Sequence, residues 1–248
     1  MKTTRRLFLH TVLASSLLLL VPACLPGHPE ASGPARVSLT LLSTTDVHGN
    51  IYPIDYYSNL PANRGLAKIA TLVRQVRAEQ PNTLLLDCGD TIQGSPLAFY
   101  FARKDTAPVN PTVAVMNAMD YTAMAAGNHE FNFGLDVLWK AKRESKFPWL
   151  AANIRQQYKK GTEHFEPYII RHVAGIRVGI VGFITPGVPR WEIPANYRGY
   201  EFEQIVDAAK RVIPRLRKKV DLLVVLAHTG LGRDEQNATP EYVGDVPG

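Results

Sequence analysis

Four short segments carry side chains of the kind that hold divalent cations: Asp46-Val47-His48, Gly89-Asp90-Thr91-Ile92-Gln93-Gly94, Gly127-Asn128-His129-Glu130 and Ala227-His228-Thr229-Gly230. A set that mixes carboxylate, amide and imidazole donors and lacks thiolate suits Zn, Mn, Fe or Co better than an ion that selects sulfur. Asp46 and His48 are two residues apart, so at the end of a strand both side chains would emerge on one face. Asp90 sits in a Gly-Asp turn, where glycine permits a close approach of backbone to ligand, and its two oxygens let one carboxylate serve two ions. Each segment also has a plainer reading: Asp-x-His as surface decoration, Gly-Asp as a turn, Asn-His as the cap of a following helix. Their recurrence in one chain favours chemistry over coincidence.

The elements that must position these residues are legible in the apolar pattern. Short Val/Ile/Leu-rich runs at 37–44, 83–88, 123–126, 149–152, 176–183 and 222–227 predict buried strands. Helices are predicted between them, over 65–79, 112–119, 135–146 and 202–219; in the first, Leu66, Ile69, Ala70, Val73 and Val76 share one face. Alternating strands and helices imply an α/β fold with a mainly parallel or mixed sheet covered on both sides. The four polar segments all follow predicted strands, and ligand sites in such sheets gather beyond the carboxyl ends of strands.

The ordered combination of the four segments resembles the calcineurin-like metallophosphoesterases, and within them the secreted 5'-nucleotidase and 2',3'-cyclic-nucleotide phosphodiesterase/3'-nucleotidase group. The resemblance spans about residues 37–248. It implies a four-layer α-β-β-α sandwich, incomplete at the C-terminus, and two divalent metal ions. Carried over residue by residue, Asp46 and His48 would hold the first ion, Asp90 would bridge the pair, and Asn128 and His228 would hold the second. His129 would face the substrate phosphate with Asn132 orienting its ring; a neutral Asn cannot hold the ring charged as an Asp would. Asn132 and Asp55-Tyr56-Tyr57 resemble the cyclic-phosphodiesterase branch, since the 5'-nucleotidase branch usually carries Asp at the position of Asn132. The family also has a Gly-His-x-His segment beyond the position of His228, which this chain lacks. A truncated gene is one explanation, and a shorter natural protein is the other. On either account the expectation is weak metal binding and slow turnover by the chain alone.

The remaining composition sets limits on partners and place. With 46% hydrophobic and 20% charged residues over 248 positions, the chain is an ordinary globular sequence without internal repeats or low-complexity tracts. Lys2, Arg5 and Arg6 account for three of its six net positive charges. The densest other group, Arg211, Arg215, Arg217, Lys218 and Lys219, flanks Val212, Ile213 and Leu216 on a predicted helix and reads as a solvated face. Polymeric nucleic acid is therefore not the expected partner; a nucleotide is. Arg5-Arg6 before the apolar run from Val12 to Val21 predicts a twin-arginine export signal over 1–24, too short to span a membrane. Cys24, after Val21-Pro22-Ala23, is a lipidation candidate that would tether the protein outside the inner membrane; ordinary cleavage near Ala23 or Ala31 is the other reading. A Pro/Gly-rich linker follows over 25–36, and the catalytic domain over 37–248. Cys88, the one cysteine after Cys24, is expected to pack as a small hydrophobe. The expected activity is hydrolysis of 2',3'-cyclic and 3'-nucleotides for salvage. The alternatives are a 5'-nucleotidase, a nucleotide-sugar hydrolase, or a non-catalytic metal- or phosphate-binding lipoprotein.

Overall fold

A computed structural model of the chain describes residues 36–156 and 163–230. The predicted export signal with Cys24, the linker up to residue 35 and the stretch from residue 231 onward lie outside the described residues. Among the described residues no helix is long and apolar enough to cross a membrane.

Two sheets form the centre. Strands β1 (Thr40–Thr44), β2 (Thr83–Asp87), β3 (Ala123–Ala125) and β4 (Trp149–Leu150) lie side by side in chain order, all parallel. The second sheet has β7 (Ile176–Ile184) in the middle, antiparallel to β6 (Tyr168–Val173) and parallel to β9 (Leu222–His228). A small antiparallel ribbon pairs β5 (Ile154–Gln156) with β8 (Tyr200–Phe202).

Three apolar clusters define the layers. Leu84, Leu86, Ala123, Ala125 and Leu150 of the first sheet meet Val178, Ile180 and Leu226 of the second. On the outer face of the first sheet, Leu85, Met124 and Trp149 pack with residues of α1 (Leu66–Glu79), α3 (Pro111–Ala118) and α4 (Leu135–Glu144). On the outer face of the second, Val181 and Phe183 pack with Ala208, Val212 and Leu216 of α6 (Ile205–Arg217), spaced at four so that they share one face. The order is therefore α-β-β-α. Strands covered on both sides must be apolar on both, which explains the unbroken Leu84-Leu85-Leu86 run.

Differences from the sequence-based expectation are local. The predicted helix over 202–219 begins at Ile205, because Phe202 closes β8 and the Glu203 amide donates to the Asn153 carbonyl at 2.8 Å. Two further helices arise that periodicity does not reveal. One is α2 (Pro96–Arg103), capped by Ser95 and opened by Pro96; the other is the single turn α5 (Val188–Trp191). The basic residues of α6 are exposed, and several have local partners: Arg211 donates to Glu203 at 2.7 Å and Arg217 to the Val220 carbonyl at 2.8 Å. Cys88 is half-buried against the cluster between the sheets.

Candidate metal centre

All the singled-out polar segments lie just past the carboxyl ends of parallel strands: Asp46 and His48 after β1, Asp90 after β2, Asn128 and His129 after β3. His228 is the last residue of β9. The loops after β1 and β2 continue to pair beyond the strands, with the Asp46 amide donating to the Gly89 carbonyl and the His48 amide to the Asp90 carbonyl, both at 2.9 Å.

Asp46 and His48 do not converge through strand pleating, as their spacing predicts. β1 ends at Thr44, and both residues adopt left-handed backbone, with φ of 52° and 49°. Asp90 does the same at φ 58°. Non-glycine residues hold this conformation at a cost of order 1–3 kcal/mol, and such strain collects at functional sites. The loop, not a pleat, brings His48 Nε2 to 3.7 Å from Asp46 Oδ1.

Two groups of donor atoms result, His48 with Asp90 and His129, and Asp46 with Asp90 and His228; within each, the atoms lie within 4.8 Å of one another. Asp90, 3% exposed, belongs to both. One of its oxygens, Oδ1, accepts from the His129 amide at 2.8 Å, leaving Oδ2 3.1 Å from His228 Nε2 and 3.8 Å from His129 Nε2. Asn128 Oδ1 lies 3.1 Å from the same His228 nitrogen, and His48 Nε2 is 3.7 Å from Asp46 Oδ1. Asp46 thus stands beside both His48 and His228.

The ring nitrogens are already sorted. His48 Nδ1 faces the Gln93 carbonyl at 2.9 Å and His228 Nδ1 the Cys88 carbonyl at 2.8 Å. A carbonyl only accepts, so each Nδ1 carries hydrogen and each Nε2 is the nitrogen turned into the site. Imidazoles that ligate metals are oriented in this way. The donor set, two such imidazoles with carboxylate and amide oxygens, fits a pair of divalent cations. Two glycines make the packing possible. A Cβ on Gly94 would meet His48 Cβ and its ring atoms Nδ1 and Cγ at 2.6–2.8 Å, and one on Gly127 would fall 2.2 Å from Asp90 Oδ1.

Two buried carboxylates that sequence reasoning left without a role hold the Asp90 loop. Fully buried Glu130 accepts four backbone N–H groups: Asp90 at 2.9 Å and Gly127 at 2.6 Å on one oxygen, Thr91 at 2.6 Å and Ile92 at 3.3 Å on the other. Burial, then the Asp90 charge, push its carboxyl above the ordinary range, against these bonds. Asp87, also fully buried, accepts from the Gly89 amide and the Thr91 hydroxyl, both at 2.8 Å, and from Thr44 at 2.5 Å. Burial pushes its carboxyl to about 7. A carboxylate directly after a catalytic-looking histidine, or closing an apolar strand, is the signal that could have found them.

Charge in the site is strongly coupled. Burial alone would raise the Asp90 carboxyl, but the hydrogen bond and charge of His228 and the charge of His129 outweigh it and hold Asp90 below the ordinary range. Burial opposes protonation of His228, yet Asp90, Glu130 and Asp46 lift it to about 9. The contribution of this ion pair to stability is therefore full below about pH 6.5 and lost as pH rises through about 9. A cation at Nε2 must displace that proton, so affinity should climb with pH up to about 9. Calorimetric metal titrations at pH 7.5 in buffers of different ionisation heat should show proton release that falls by about one per chain in His228→Gln. Equal release from both proteins would contradict this.

His129 is oriented from a different direction. Its Nδ1 meets Asn132 Oδ1, and Asn132 Nδ2 donates to Glu192 Oε1 in the β7–β8 connection. The His129 and His48 rings meet edge to face with centroids 5.0 Å apart. Nothing in the sequence marks Glu192, sixty residues from Asn132.

A family model described as calcineurin-like phosphoesterase matches residues 39–246. The chain belongs to this family. It is 36% identical over 254 residues to the Bacillus subtilis trifunctional nucleotide phosphoesterase protein YfkN, an alignment covering 95% of this chain and 17% of that protein. It is 37% identical over 237 residues to the Haemophilus influenzae 2',3'-cyclic-nucleotide 2'-phosphodiesterase/3'-nucleotidase, covering 88% of this chain and 36% of that one. A crystal structure of the calcineurin-like phosphoesterase YfkN superimposes with a TM-score of 0.72 at 36% identity, over 80% of this chain and 64% of that chain. The chain thus spans less than half the length of the curated relatives it matches, and the family's fold agrees with the α-β-β-α order seen here.

Proposed function

We propose that the chain carries the catalytic domain, residues 37–248, of a two-metal phosphohydrolase acting on 2',3'-cyclic nucleotides and 3'-nucleotides. The observation that carries the reading is Asp90, shared by two donor groups at the meeting point of both sheets. Asp46, His48, Asp90, Asn128 and His228 are assigned as the residues that would hold two ions of the Zn, Mn, Fe or Co class, with Asp90 common to both donor groups. When bound, such a pair neutralises the anionic ester and supplies a nucleophilic hydroxide near neutral pH. The chain's own residues do the rest. Glu130 and Asp87 keep the Asp90 loop from yielding, and the backbone carbonyls on His48 and His228 hold their rings in register. His129, whose Nε2 faces the site, hydrogen-bonds the ester oxygens when that nitrogen carries a proton and hands the proton to the departing sugar oxygen, which leaves as the hydroxyl.

The cyclic and 3' preference is supported by the 37% identity to an enzyme of that name and by Asn132, which gives His129 an amide partner. A strained cyclic diester needs less help from a proton donor than a 5'-monoester does. The test is kcat/KM for a 2',3'-cyclic nucleotide, a 3'-monophosphate and a 5'-monophosphate, on the chain and on any longer product of its reading frame. The first two are expected to exceed the third by at least tenfold; a preference for the 5'-monophosphate would refute the assignment. Export through the 1–24 segment, with lipid on Cys24 and the 25–36 linker as spacer, belongs to the same proposal, and the mass of the mature N-terminus checks it.

A further inference from the structure

We infer that Glu192 is a positioning residue that fixes, through Asn132, which ring nitrogen of His129 exchanges protons with the substrate. This rests on the reading of His129 as the group facing the ester. A carboxylate only accepts hydrogen bonds, so the end of the Asn132 amide that meets Glu192 must be Nδ2. That turns Oδ1 toward the ring, and because Oδ1 also only accepts, His129 Nδ1 must carry hydrogen. The one basic position left on the ring is Nε2, on the side of Asp90 Oδ2.

Glu192 is itself held in place. Its second oxygen accepts from Asn196 Nδ2 at 2.6 Å, and the same amide nitrogen donates to the Asn132 backbone carbonyl at 3.3 Å. Asn196 lies in the 3-10 turn Pro194–Tyr197, just past α5, so one short connection supplies both the carboxylate and its clamp. An Asn between a histidine and water presents either end at little cost. Between a histidine and a carboxylate it presents one, since turning it would set oxygen against oxygen and N–H against N–H. The sequence suggests that Asn132 leaves His129 without an acid behind it. In the structure the acid is present, one amide further out.

The test combines spectroscopy with kinetics on the full chain. Long-range ¹H–¹⁵N spectra of ¹⁵N-histidine protein, at a pH where the ring is neutral, should show His129 protonated on Nδ1. Glu192→Ala should mix in the Nε2–H form, and it should lower kcat roughly 10- to 100-fold with KM within about twofold, the scale of a misdirected proton-transfer group. Glu192→Gln, which still accepts but can also turn, should fall between. Asn132→Asp alone sets two carboxylates face to face and should be as poor as Glu192→Ala. Asn132→Asp together with Glu192→Gln restores the donor–acceptor order and should recover to within about threefold of the parent, which no loss of general structure would do. An Nε2–H ring in the parent, a tautomer unmoved in Glu192→Ala, or a double variant no better than Asn132→Asp would each overturn the inference. The tautomer arm reads out whether or not the protein hydrolyses nucleotides, so failure of the proposed activity is told apart from failure of this role.

Discussion

Replacing Asp90 with asparagine is expected to cut turnover roughly 10⁴-fold while leaving the protein folded. The size follows from what leaves with the shared carboxylate. Two ions contribute several kcal/mol of transition-state stabilisation, and about 1.4 kcal/mol is a factor of ten. A neutral amide cannot balance two dications, and among the described residues no other carboxylate belongs to both donor groups. The fold should survive because an asparagine oxygen can still accept from the His129 amide, as Asp90 Oδ1 does at 2.8 Å. Losing the Asp90 charge also relieves buried Glu130 of a like-charged neighbour while depriving His228 of its main partner. Metal analysis should find at most one ion per chain, and the rise in Tm that metal confers on the parent should largely vanish. Two ions retained per Asp90→Asn chain would exclude Asp90 as the bridge.

Glu130→Gln should be among the most destabilising near-isosteric changes in the protein, at about 3 kcal/mol. Each Glu130 oxygen accepts two backbone N–H groups. Whichever way the new amide turns, its NH₂ faces two donors, and a buried donor without an acceptor costs about 1–3 kcal/mol. For a chain of this length about 3 kcal/mol corresponds to a fall in Tm of roughly 6–12 °C. Thermal unfolding of the metal-free proteins reads this without interference from lost ligands. A Glu130→Gln protein within about 0.5 kcal/mol of the parent would show that the four bonds add nothing.

Much of the architecture was present in the local pattern. Strands buried on both faces read as apolar runs, so β1, β2, β3, β7 and β9 are visible with ends shifted by a few residues. The amphipathic faces of α1 and α6 are visible for the same reason. β6 and the β5–β8 ribbon are not, because half-exposed pairing strands such as Tyr168–Val173, with Arg171 and His172 outward, carry a weak alternation. α2 is short and apolar, a composition that suits a buried strand equally well.

The donor residues were legible because metal chemistry restricts side chains to a few types and an open sheet puts them after its strands. Their grouping was not. Apolar periodicity reports that a strand is buried but not which sheet buries it, so only the fold brings His228, from the second sheet, to within 3.1 Å of Asp90 on the first. Backbone conformation was likewise hidden: Asp-x-His reads as a strand end, while the loop turns both residues left-handed. Buried carboxylates that grip backbone N–H groups leave no spacing rule, since their partners are amides that every residue owns. Glu192 shows the limit most clearly. Sixty residues separate it from Asn132, and a hydrogen bond between two polar side chains of ordinary loops leaves no periodic trace. The sequence determined which chemistry was available and where along the strands it would stand. The tertiary structure decided which donor atoms lie together and which acid stands behind the histidine, because those depend on distances between segments that local propensity does not encode.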